Sequence, residues 1–215
     1  MVLRIIKGIR AATSPQFCVG IKMNSFDVSE QGDGGLQAGL EQIGLIIGAG
    51  VDFIEISGGS YEDPSMFRVD RTAPVVGSTA APAASALIPK ASTIAREAFF
   101  LDFAKTIREH YPKIPLIVTG GFRSRSGMEA ALESGACDII GIGRHAAVVP
   151  KLPKSVLLNK EIFDSDATIR PKCVEMGWLM RKLPIKSLGG GAESTYYGEQ
   201  IERMGKGLQP IDTRV

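Results

Sequence analysis

The stretch IPLIVTGGFRSRSG (114–127), followed by CDIIGIGRHA (137–146), decides the fold. Both pieces are built alike: a short, continuously apolar run that stops at glycine. Such runs read as strands, here 114–121 and 137–144, with a short helix at 126–134 between them. Continuous rather than alternating apolarity predicts strands buried on both faces of a parallel sheet. Glycine at the strand end lets the backbone turn tightly or approach a ligand closely. Backbone N–H groups at Gly120 and Gly121, and those at the helix start near Ser126, are then expected to face an anion. Gly143-Arg144, ending the next strand, adds a guanidinium suited to a bidentate phosphate contact.

Outward from this stretch the pattern repeats. FCVGIKM (17–23) and VDFIEIS (51–57) are two more short apolar strands, and helices are predicted over 2–13, 36–49 and 92–110. In the first helix Val2, Ile5, Ile6 and Ile9 share a face. The order is helix, then strand alternating with helix up to the fourth strand, which indicates an α/β fold with a parallel sheet. Two adjacent strands ending in glycine and arginine match the phosphate site of the last two strands of a (β/α) barrel. Plain turn glycines beside a surface arginine are the alternative. A closed barrel uses eight strands and usually about 250 residues, so 215 residues with four countable strands read as an incomplete (β/α) TIM barrel with a helical C-terminal tail. The expected division is a partial barrel over 1–150 and a helical extension over 151–215 packed on it. Loops are expected at 24–35, 58–91, 150–155, 164–172 and 184–191. The second is longer than ordinary connections, as functional loops often are.

Two strands carry charge. Lys22 lies between Ile21 and Met23, where a lysine reaches a ligand, pairs with an acid, or faces water from an edge strand. Glu55 lies mid-strand, where an unpaired charge is costly. Pairing Glu55 with Lys22 across neighbouring strands satisfies both and is a structural alternative to a catalytic role. Tyr61, just after Ser57-Gly58-Gly59, lines a substrate pocket or caps the core. His110 reads as structural, and His145 as either a phosphate contact or a surface residue.

Composition removes several classes of function. Lys plus Arg number 25 and Asp plus Glu 23, a net charge of +2 without a run of like charge, so neither a nucleic-acid tail nor a membrane-binding patch is expected. Cys18, Cys137 and Cys173 are 119 and 36 residues apart, which is not metal-ligand spacing, and their low odd count favours a reducing compartment. No metal site, secretory leader or membrane span is expected, and cytoplasmic localisation follows. No nucleophile elbow or Walker loop is present, and GIGRHA lacks the spacing of a dinucleotide fingerprint.

The segments VGIKMNSFD (19–27), GVDFIEISGGSYEDP (50–64), IAREAFFLDFAKTIRE (94–109), IPLIVTGGFRS (114–124) and GACDIIGIGRHA (135–146) together resemble the NADH:flavin oxidoreductase, or old yellow enzyme, family. They cover most of residues 2–150. The resemblance implies an FMN-binding barrel in which NADH or NADPH reduces the flavin and the flavin reduces an activated alkene. The stretch 17–144 then corresponds to strands five to eight. Lys22 matches the basic residue at the N1 and O2 edge of the isoalloxazine ring. Gly120, Gly121 and Phe122 match the loop that binds the ribityl phosphate, and Gly143 and Arg144 match the phosphate-binding end of the eighth strand. In the family, strands one to four supply the rest of the flavin pocket, the pair that binds the substrate's carbonyl, and the proton donor, so no catalytic residue is assigned here. Three readings stay open. The chain is an ene-reductase-like enzyme completed by a homodimer or a complementary half-barrel partner and acting on a small molecule. It is a non-catalytic binding or structural protein. Or it is a truncated fragment from an incomplete gene product.

Overall fold

The computed structural model describes residues 1–24, 33–57, 91–169 and 187–212. Helix α1 (Val2–Ala12) leads to strand β1 (Gly20–Asn24), α2 (Asp33–Gly48) to β2 (Phe53–Ser57), α3 (Ala91–His110) to β3 (Leu116–Thr119), and α4 (Arg125–Glu133) to β4 (Ile139–Gly141). A short helix α5 (Arg144–Val148), a π-helical turn (Pro153–Leu157) and a long helix α6 (Ser187–Gly205) follow. Tyr61 and the 58–90 part of the expected long loop lie outside the described residues.

The four strands are all parallel and lie in the order β1-β2-β3-β4. Strictly sequential order is the winding of a (β/α) barrel. A doubly wound sheet would reverse direction at a switch point. The four strands and their helices therefore form a partial (β/α) barrel, with a helical segment after it.

Sequential winding places the helices on one face, and burial follows. Ile54, Ile56, Leu116 and Val118 are fully buried against Leu40, Ile43 and Ile46 of α2 and Phe103, Ala104 and Ile107 of α3. Ile21, Met23 and Ile140 extend this layer. The other face carries Lys22, Glu55, Ile117 and Ile139 in one register row, and Asn24, Ser57, Thr119 and Gly141 in the next. Ile139 is 51% exposed. This corrects the expectation of strands buried on both faces. The apolar runs are continuous because a barrel's interior is also lined with side chains, yet here that interior face stays partly open. Helix α1 differs too: Ile6 is its buried residue, flanked by half-buried Leu3 and Arg10, while Val2 and Ile5 are exposed.

Two arginine–aspartate clamps tie the amino-terminal ends of the strands. Arg10, in the last turn of α1, donates to Asp52, to Gly50 O (2.6 Å) and to Phe17 O (2.5 Å), while Asp52 accepts the Val19 N–H at 2.6 Å. Arg108, in the last turn of α3, donates to Asp138, to Pro112 O (3.0 Å) and to Ile114 O (3.1 Å), while Asp138 accepts the Leu116 N–H at 2.7 Å. In each, the aspartate just before one strand holds the backbone at the start of the preceding strand, and a helical arginine holds the aspartate.

Residues 151–169 fold back onto the loop after β3. Ile169 N–H donates to Arg123 O (2.6 Å), Arg125 N–H donates to Ala167 O (3.0 Å), and Ser124 and Thr168 form an antiparallel bridge. Met128, Leu152, Leu157 and Ile169 make a second core there. Arg125 is central. Its guanidinium, 14% exposed, donates to Leu157 O, Val156 O, Asn159 O and Ile162 O at 2.6 to 3.0 Å and to Asp164 at 2.7 Å. These carbonyls end the π-helical turn and the bend after it, where a helix leaves its last acceptors unfilled, and one cation serves all four; Asn159 O also accepts the Ile162 N–H at 3.1 Å. The turn occupies part of the expected 150–155 loop. Helix α6 likewise runs through 187–191, where three successive glycines predicted a loop because each costs a helix about 1 kcal/mol relative to alanine. Tyr196 and Tyr197 of α6 pack on Ala147 and Val148 of α5. Buried Gln200 accepts the Ile211 N–H and Tyr196 Oη donates to Ile211 O, both at 2.8 Å, which pins the end of the described chain to the helix.

Candidate functional site

The carboxyl-terminal ends of β3 and β4 bring the glycine and arginine residues together. Strand β3 stops at Thr119, and Gly120 and Gly121 follow with φ of +127° and +80°. Two successive residues in this region of backbone space turn the chain sharply, and only glycine adopts them without strain. Thr119 pairs with Gly141, so Gly120-Gly121 and Gly143-Arg144 emerge side by side just beyond the paired ends. Gly143 is the N-cap of α5, and no side chain caps that helix. A Cβ at Gly143 would meet nothing within 4 Å. Glycine at 143 thus leaves open space beside the loop. Arg144 opens α5 and is half-buried.

Phe122 spans the two cores, packing against both the sheet core and the second core. It anchors the glycine turn from behind. The start of α4 is not the open anion site expected near Ser126. Ser124 caps the helix, its Oγ accepting the Gly127 N–H at 3.1 Å, and Ala167 takes the Arg125 N–H. Two of the N–H groups that a phosphate would use there are consumed within the chain.

Lys22 and Glu55 are register partners, and Lys22 Nζ donates to Glu55 Oε1 at 2.7 Å. The lysine side chain is 57% exposed and the glutamate 25%. Burial pushes the Glu55 carboxyl up. Hydrogen bonds from Lys22 and Thr119, together with the lysine's charge, outweigh it and leave the carboxyl below its ordinary range. Glu55 therefore stays ionised near neutrality and ties its own strand to side chains of the two strands beside it. Thr119 is fixed in turn by Gly141: a Cβ at 141 would lie 1.8 Å from Thr119 Oγ1. Gly141→Ala is expected to push Thr119 aside and cost about 1–3 kcal/mol by overpacking, measurable as a lower urea midpoint with an unchanged slope.

Sequence reading missed Thr119, Gly141 and Arg125. Gly141 offered a signal, since the glycine in IIGIG interrupts an otherwise apolar strand, and such glycines mark close approach. His110 is tied to its own helix, with Nδ1 2.9 Å from Thr106 O. Among the described residues no cluster of three potential metal ligands occurs, and no helix is long and apolar enough to cross a membrane.

No protein-family profile matches the chain. Curated proteins do. The chain is 41% identical over 191 residues to the NADH-dependent flavin oxidoreductase iliE of Hypocrea jecorina (strain QM6a), covering 87% of this chain and 43% of that protein. It is 39% identical over 212 residues to the NADH-dependent flavin oxidoreductase iccE of Talaromyces variabilis, covering 96% and 46%. Against iliE of Neonectria sp. (strain DH2) it is 38% identical over 204 residues, covering 92% and 25%. The chain thus spans less than half the length of these relatives. Across nearly all of its own length, it is homologous to a part of the NADH-dependent flavin oxidoreductases.

Proposed function

We propose that this chain is the FMN-phosphate-holding part of an FMN-dependent NAD(P)H oxidoreductase of the ene-reductase kind. The observation that carries the reading is the left-handed Gly120-Gly121 turn beside Gly143-Arg144, on two neighbouring parallel strands. A cradle without Cβ atoms, with a guanidinium at its rim, fits a phosphate dianion. In this reading Gly120, Gly121, the Phe122 backbone, Gly143 and Arg144 hold the ribityl phosphate, and Lys22 meets the ring edge. FMN, when bound, carries electrons from NADH or NADPH to an activated alkene. The residues here bind and orient it. The open face of the sheet is then closed by a second half-barrel, either another copy or a complementary chain, which also supplies the proton donor and most of the small-molecule substrate pocket.

A second reading is a non-catalytic scaffold. The Lys22–Glu55 pair favours it, because both charges are satisfied within the sheet. Flavin titration followed by fluorescence quenching separates the two. Under the first, Arg144→Ala weakens FMN binding about 10- to 100-fold, the worth of a charge-assisted hydrogen bond. Riboflavin, which lacks the phosphate, is indifferent to the change. Equal FMN affinity in both proteins would sink the phosphate assignment. No saturable FMN binding by the unaltered chain would favour the scaffold.

A further inference from the structure

We propose that Glu55 is a positioning residue for Lys22 that fixes the charge Lys22 presents to the flavin ring, and so sets the ring's reduction potential. The inference rests on the reading of Lys22 as the ring-edge contact. Its own support is the geometry around Glu55. The carboxylate takes the ammonium at 2.7 Å, is itself the better buried partner, and is held again by Thr119, whose hydroxyl is locked over Gly141. A lysine side chain is long and rotatable. Tied to an anchored carboxylate, its ammonium is held in one direction.

The pair also carries no net charge. A lone ammonium at the ring edge favours whichever form of the flavin is more negative. The reduced form is that one: a nicotinamide hydride brings two electrons and one proton, the nicotinamide leaves oxidised, and the ring gains one negative charge. An opposite charge at ion-pair distance cancels most of the ammonium's field beyond the pair. Glu55 therefore lowers the potential relative to lysine alone, and keeps oxidised FMN competitive for the site.

The test is potentiometry on the full chain loaded with FMN, equilibrated against a reference dye. Glu55→Gln keeps the shape and removes the charge. It is expected to favour reduced over oxidised FMN about tenfold more than the unaltered protein does, about 30 mV for two electrons. Lys22→Met is expected to move the potential the other way. The double variant is expected to lie above Lys22→Met alone, because it also lacks the carboxylate charge that faces the ring once the lysine is gone. Should Glu55→Gln not fold, Glu55→Asp, whose carboxylate is drawn back from Lys22, is expected to give a smaller shift in the same direction as Glu55→Gln. An unchanged potential in a Glu55 variant that holds FMN would overturn the inference and leave the site reading intact. Failure of the unaltered chain to take up FMN would overturn both.

Discussion

Arg125→Ala is expected to destabilise the fold by about 3–5 kcal/mol, the range for removing one member of a buried charged network. The change strips hydrogen bonds from four backbone carbonyls, at Val156, Leu157, Asn159 and Ile162, of which Asn159 O keeps the Ile162 N–H as a donor. Each buried orphan costs about 1–3 kcal/mol, and relaxation and water entry keep the total below the sum. The carbonyls, not the salt bridge, dominate. Asp164 is 65% exposed, so Asp164→Asn is expected to cost less than about 1 kcal/mol. Arg125→Lys is expected to rescue little, since an ammonium lacks the planar fork that reaches several carbonyls at once. Urea unfolding of the three variants measures this. Comparable losses for Arg125→Ala and Asp164→Asn would show that the ion pair matters more than the carbonyls. Because Arg125 directly follows Ser124 and lies three residues after Phe122, Arg125→Ala is also expected to loosen the glycine turn.

Asp138→Ala is expected to cost about 2–3 kcal/mol. It leaves the N–H of fully buried Leu116 without its acceptor and Arg108 without its carboxylate, each a loss of about 1–2 kcal/mol. The same group makes stability depend on acid. Burial pushes the Asp138 carboxyl up, but hydrogen bonds from Leu116 and Arg108 and the arginine's charge prevail, so it sits below its ordinary value. Asp52 is lowered as well, first by the Val19 N–H and then by Arg10. A carboxyl lowered in the folded state contributes stability that is fully present above its unfolded value, about 3.9, and is lost as pH falls through the folded value. Unfolding free energy is therefore expected to drop as pH falls below about 4, and Asp138→Asn is expected to flatten that drop. Denaturant midpoints taken across the window show it. An Asn variant with the same pH slope as the unaltered protein would place the acid sensitivity elsewhere.

The parts of the fold that were legible in the sequence are those written in local chemistry. Apolar runs that stop at Gly120 and Gly143 mark β3 and β4 because strand burial and sharp turning both leave a trace in residue type. The Lys22–Glu55 pair was legible as one of several options, because a charge in a buried strand must be matched. The role of Arg125 was not. Its main partners are main-chain oxygens 31 to 37 residues further along, and a carbonyl belongs to every residue alike. The start of α6 was hidden for the opposite reason: Gly189, Gly190 and Gly191 signal a break, and packing of Tyr196 and Tyr197 on α5 overrides the local preference. The open inner face was illegible because a lining side chain and a core side chain look the same in a list of apolar residues.

The two arginine–aspartate clamps describe how the chain tolerates change. Arg10 and Asp52 enclose β1 and α2, while Arg108 and Asp138 enclose β3 and α4. Each clamp closes inside one helix–strand–helix–strand unit, and neither reaches across the connection between Ser57 and Ala91. Those units behave as duplicated modules joined by the β2–β3 ladder and a shared core. Insertions or deletions between the modules leave both fastenings whole, whereas a single residue added between Arg10 and Gly20, or between Arg108 and Leu116, throws one of them out of phase. The chain is thus free to vary in length at its middle, on the side where a barrel of this kind meets its substrate, and constrained at the opposite end.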